Sequence, residues 1–211
     1  MGVPRRFVTE YPARCLAILD MAQPLAQRND LLASFALMAA ASVLVIPYER
    51  LKAKHPLTQE RGSELYEALH GLERRPWSTA PFWVGREPAE WHFSRIMGDP
   101  NNVARWTNAA GQPSMSTDAN EISGRKAGDV LRVLRNALAH GNVVYLNKHG
   151  QETPDTAVHT LAFLSRYEEL GGDHETYRLA AAPAEQFLEF LRRWAAWLAS
   201  FPVDDRLIEA A

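Results

Sequence analysis

LRNALAHGN, residues 134–142, is the stretch on which the reading of this chain turns. Leu134, Ala137 and Leu138 recur at helical spacing, and Gly141 is the residue expected just past a helix end, where the backbone turns left-handed. Packing accounts for those residues. It does not account for Arg135, Asn136 and His140.

On a helical wheel, Ala127, Val130, Leu131, Leu134, Ala137 and Leu138 share one arc of about 120°. Arg125, Asp129, Arg132, Asn136 and His140 lie opposite. Arg132, Asn136 and His140 are spaced i, i+4, i+8, so they form one ridge, and Asn136 and His140 are direct neighbours. Arg135 sits about 100° from Asn136, at the margin of the apolar face. The spacing predicts a helix that starts near Asp118 or Asn120, with Asp118 and Glu121 as a capping box, and runs to His140.

Upstream, a helix is predicted from Thr9 and Glu10 to about residue 27, with Cys15 and Leu19 on its buried face and Pro24 bending or ending it. A second is expected over about 30–54, apolar almost all round until YERLKAK and kinked at Pro47, which suits the middle of a bundle. A third starts at Thr58-Gln-Glu-Arg and carries Leu65, Leu69 and Leu72. Residues 73–118 then change in character. They hold four of the six tryptophans (Trp77, Trp83, Trp91, Trp106) and five prolines. They read as an ordered insertion in which only EPAEWHFSRIM looks helical. After the helix come three predicted strands, NVVYLN (142–147), AVHTLAFLSRY (157–167) and TYRLAAA (176–182), then an amphipathic helix, AEQFLEFLRRWAAWLASF. The expected fold is mainly α: one domain over 1–211, a helical bundle with a small antiparallel three-strand β-meander before the C-terminal helix.

Composition narrows the function. The chain has 211 residues, 46% apolar and 23% charged, with a formal net charge of −2. That is a globular composition without global attraction for nucleic acid, so any RNA contact must come from a local basic patch. A single cysteine, Cys15, leaves no intramolecular disulfide and no Cys-rich zinc site. The uncharged run 31–46 is short for a spanning helix, which needs roughly 20 apolar residues. Arg5-Arg6 is not followed by a clean apolar run, so no export signal is expected. A reducing, cytoplasmic location without membrane association follows. The other histidines, His70 and His92 on predicted helices among them, form no metal-ligand spacing, and no metal or cofactor is expected.

The R-N-x-x-x-H string at a helix end, the apolar second helix ending in IPYERLK, LRNALAHGNVVYLN, LAFLSRY and the closing FLEFLRRWAAWL helix together resemble the HEPN superfamily, a helical nucleotide- and RNA-binding fold. The resemblance covers most of 10–55 and 118–200 and maps its motif onto Arg135, Asn136 and His140. It implies a metal-independent endoribonuclease in a toxin–antitoxin or defence system, with RNA as substrate and an antitoxin protein as a further partner. It also implies a homodimer in which two copies of the helix form one composite cleft. In that scheme Arg135, Asn136 and His140 are catalytic and Arg132 binds substrate. Val133 and Ala139 flank the polar arc and are small enough for a close helix contact. The alternatives are a non-catalytic HEPN module that binds RNA, nucleotide or a partner protein, and a helical assembly protein in which the motif is structural. The insertion and the strands lie outside the minimal HEPN bundle.

Overall fold

The computed structural model describes residues 7–52, 64–85, 87–154, 158–167 and 176–201. Helix α1 spans Phe7–Arg28. Pro24 neither ends nor interrupts it, contrary to expectation, because its ring lies on the exposed side, where solvent can serve the carbonyl it frees. Helices α2 (Leu32–Ala40) and α3 (Ile46–Lys52) form one rod joined by a π-helical turn at Ala41–Val45. The irregularity sits one turn before Pro47, whose ring would clash with a regular ladder and which has no N–H to return to Val43. The Val43 carbonyl instead accepts the indole Nε1–H of Trp194 at 3.0 Å. The stretch Leu32–Glu49 is long and apolar enough to cross a membrane by length and composition. In this fold its Ala36, Ala40, Val43, Leu44 and Tyr48 belong to the core.

Helix α4 covers Glu64–Arg74; its expected start at Thr58 lies outside the described residues. Strand β1 is His92–Met97, helix α5 is Ala127–His140, strands β2, β3 and β4 are Val143–Leu146, Thr160–Tyr167 and Thr176–Pro183, and helix α6 is Ala184–Ala199. The capping box does not form. Asp118 lies in a 3-10 turn, Glu121 pairs with Arg125, and α5 begins later, at Ala127, whose N–H bonds the Arg75 carbonyl at 2.8 Å.

The three expected strands are present, but the sheet has a fourth. Its order is β1-β4-β3-β2, with every pairing antiparallel. The extra strand comes from the segment expected to be helical, and His92 lies on it. The reason is tertiary. Without β1 the outer edge of β4 would be open, and the 92–97 backbone satisfies it with Phe93 opposite Ala180. Asn120 then fixes the other side of β1: its Oδ1 accepts from Phe93 N (3.1 Å) and its Nδ2 donates to Trp91 O (3.0 Å).

Both faces of the sheet are covered. Phe93, Leu161, Phe163, Ala180 and Ala182 face the helices, and Ile96, Leu146, Ala162, Leu164 and Leu179 face a second cluster that includes Trp106 from the insertion. Burial on both sides explains why LAFLSRY and LAAA show no polar alternation. Trp77, Phe82, Trp83 and Trp91 from the insertion pack with Phe187, Phe190 and Trp194 of α6, with ring centroids 4.9 Å apart for Trp77 and Trp91. The insertion is therefore part of the core rather than an appendage.

Candidate functional site

Helix α5 ends as its sequence dictates. Gly141 takes the left-handed conformation (φ 70°, ψ 19°), and its N–H bonds the Ala137 carbonyl. The Asn142 N–H bonds the same carbonyl at 2.9 Å, and the Asn142 carbonyl accepts from Leu164 N at 2.9 Å. The turn thereby leads directly into the sheet, and the exposed ridge of α5 faces the outer end of β3 and β4.

Between them lies a groove of about 460 Å³. Helix α5 lines it with Arg132, Val133, Asn136 and His140, the turn with Asn142, and the strands with Ser165, Arg166 and Arg178. Arg132 and His140 are exposed and Asn136 is half-buried. Among the described residues no carboxylate lines this groove, although the chain carries 25 acidic residues against 23 Lys and Arg. A counter-charge stands beside it in Asp129, whose Oδ1 is 3.7 Å from Arg178 Nη1.

Arg135 is held at the side of this groove rather than on its wall. Its Nε and Nη2 donate to the two carboxylate oxygens of Glu49 on α3, at 2.5 and 2.8 Å. Its Nη1 donates to Asn136 Oδ1 at 2.7 Å. This fork fixes the amide of Asn136, so that its Nδ2 donates to Ser165 Oγ at 3.0 Å. The hydrogen bonds to Glu49 push the Arg135 guanidinium further toward its charged form, against a smaller opposing effect of burial. Tyr48 is buried and donates its phenol to Glu73 on α4 at 2.7 Å. Burial first, and then the Glu73 carboxylate, push that phenol well above its ordinary pKa, so it stays a donor.

Three of the four residues expected at the site, Arg132, Asn136 and His140, thus come together on one wall. Arg135 joins them only through Asn136. Val133, expected to flank a contact between copies, is 1% exposed and belongs to the core of its own chain, whereas Ala139 is exposed. The residues the sequence did not single out are Glu49, Asn142, Ser165, Arg166 and Arg178. Glu49, Ser165 and Arg166 stand inside quoted stretches, IPYERLK and LAFLSRY, but the partners of the first two are distant in sequence, 86 residues for Glu49 and Arg135 and 29 for Ser165 and Asn136. His92 lies elsewhere, buried with its Nε2 2.6 Å from the Ser114 carbonyl. Among the described residues no group of three or more His, Cys, Asp or Glu is arranged to hold a metal ion.

A groove into which a helix end and two strands bring an imidazole, two amides, a hydroxyl and three guanidiniums is suited to a phosphodiester. Comparison with known proteins bears on the identity of the domain. No curated protein and no solved structure matches the chain. A family model described as HEPN pEK499 p136 matches residues 1–204, a range that takes in the Trp-rich segment 73–118 as well as the motif. The chain belongs to that HEPN family.

Proposed function

We propose that this protein is an endoribonuclease that cleaves RNA without a metal ion, through a composite site made by two copies of the chain. The observation that carries the reading is the groove itself: His140, Asn136 and Arg132 line one wall opposite two further arginines, with no carboxylate among the described lining residues. In the reaction, a ribose 2′-oxygen attacks the adjacent phosphorus. The P–O5′ bond breaks, leaving a 2′,3′-cyclic phosphate and a free 5′-hydroxyl. The proton of the 2′-OH passes to a base, and an acid supplies one to the departing 5′-oxygen. His140 is the group in the groove that can do either. One copy of His140 serves as base and the partner copy as acid, which is why one chain carries half a site. Asn136, clamped by Arg135, orients the histidine or a phosphate oxygen. Arg132 opposes the charge that builds on the phosphate, and Arg135 adds its own charge from beside the groove.

Purified protein incubated with single-stranded and structured RNA in EDTA should cleave it. His140→Ala should lose at least about a hundredfold in rate. Arg135→Ala should lose cleavage as well, and both variants should remain folded dimers by light scattering, at twice the 23.7 kDa chain mass. Full activity in a pure His140→Ala sample would overturn the assignment, and a monomer under assay conditions would overturn the composite site. The biological setting we infer is a toxin–antitoxin or defence system in the cytoplasm, with an antitoxin protein as partner. Its expected signature is growth arrest on expression that His140→Ala abolishes.

A second reading is a non-catalytic HEPN module that binds RNA, nucleotide or a partner protein. The capture of Arg135 by Glu49 favours it, because that guanidinium is engaged within the chain. Binding that survives His140→Ala, with no cleavage by the unaltered protein, would select this reading.

A further inference from the structure

The sheet brings to the groove cations that the helix motif does not contain. Ser165 and Arg178 stand directly opposite each other in the β3–β4 pairing, and Arg166 is opposite Tyr177. Two residues further in, on the same face, stand Phe163 and Ala180, both fully buried against the helices. Because side chains alternate along a strand, the face that packs on the bundle continues past the end of the core as Ser165 and Arg178. There it meets the polar ridge of α5. Arg178 is half-buried beside the Asp129 carboxylate; Arg166, one residue on from Ser165 and paired with Tyr177, starts from the other face of the sheet, is exposed, and reaches the groove at the end of the strand. Among the described residues, three guanidiniums and no carboxylate line the groove, a local positive site that a net charge of −2 does not predict.

We propose that Arg166 and Arg178, acting with Arg132, hold the phosphate of an RNA strand next to the one that faces His140, so that the β3–β4 end of the sheet sets where the strand lies in the groove. This rests on the reading of the groove as facing RNA, and it adds strand-borne binding residues to it. The planar fork of arginine suits the non-bridging oxygens of a phosphodiester.

The test separates binding from cleavage. A short, fluorescently labelled 2′-O-methyl oligoribonucleotide lacks the attacking hydroxyl, so its anisotropy reports binding whether or not the protein is a nuclease. Arg166→Gln and Arg178→Gln should each weaken binding roughly tenfold. Each should also lower the slope of log affinity against log salt by about 0.7, as expected for one lost contact to a single-strand phosphate. Arg105→Gln, an equal loss of charge on an exposed residue outside the groove, should leave the slope unchanged. Asp129→Asn, which removes a counter-charge and keeps the guanidinium, should keep or tighten binding. Unchanged affinity in Arg166→Gln and Arg178→Gln would overturn the proposal, as would a loss in Asp129→Asn equal to that in Arg178→Gln. The cleavage assay with His140→Ala stands apart from this result. Cleavage without these slope changes would leave the nuclease reading and remove the strand site. The slope changes without cleavage would do the reverse.

Discussion

At the scale of a single side chain, His92 ties the stability of the fold to acid. It is 8% exposed, and its Nε2–H donates to the Ser114 carbonyl at 2.6 Å. Burial pushes its pKa below the ordinary value, and the hydrogen bond to Ser114 opposes this only in part. The folded state therefore holds its proton less tightly than the unfolded chain. As pH falls below about 6.5, the unfolded state takes up the proton first, and stability declines until the pH passes the lower folded pKa. The urea midpoint should accordingly drop between neutral and mildly acid buffer, and His92→Gln should reduce that drop. A midpoint that changes identically with pH in both proteins would show that His92 is not the sensor. The ridge residues Arg132, Asn136 and His140 were legible in the sequence because their relation is local, fixed by 3.6 residues per turn. The engagement of Arg135 was not, since nothing within its own helix indicates a carboxylate 86 positions away.

At the scale of an element, α5 holds the groove in place only because it can approach α4 closely. A Cβ added at Gly128 would come within 2.9 Å of the Glu73 carbonyl oxygen and 3.0 Å of the Glu73 Cβ. Gly128→Ala would gain about 1 kcal/mol in helix propensity. The forced separation of two packed backbones costs about 1–3 kcal/mol, so the expected net effect is destabilising. Glu73 also receives the Tyr48 phenol, so the shift should propagate toward Glu49 and Arg135. Chemical denaturation checks the sign: a Gly128→Ala variant as stable as the parent would show that the helices part at no cost. The segment EPAEWHFSRIM illustrates the opposite relation between sequence and element. Its composition is compatible with a helix, but pairing with β4 and the burial of Trp91 and Phe93 outweigh propensities worth a few tenths of a kcal/mol per residue.

At the scale of the molecule, the Trp-rich segment decides whether there is a stable core at all. Trp77, Trp83 and Trp91 are each at most 4% exposed. A buried aromatic ring removes roughly 150–250 Å² from water, or about 4–6 kcal/mol as an upper figure. Against a typical net stability of about 5–15 kcal/mol, losing even two such rings is not survivable. Replacing residues 87–116 with a Gly-Ser linker removes Trp91, Trp106 and strand β1 together. The product should lack a cooperative thermal transition and show exposed apolar surface by dye binding. A shortened chain that melts cooperatively would mean that the bundle is self-sufficient.

The sequence by itself determined the helical periodicities, the end of α5 at Gly141, the three later strands and the polar ridge with His140. All of these follow from spacing within one element. The tertiary structure alone decided that the 73–118 segment completes the sheet and the core, that Glu49 draws Arg135 to the side of the groove, and that Arg166 and Arg178 arrive opposite the ridge. Those outcomes depend on which distant surfaces meet when apolar area is buried and strand edges are paired, and a local pattern carries no information about its eventual neighbour.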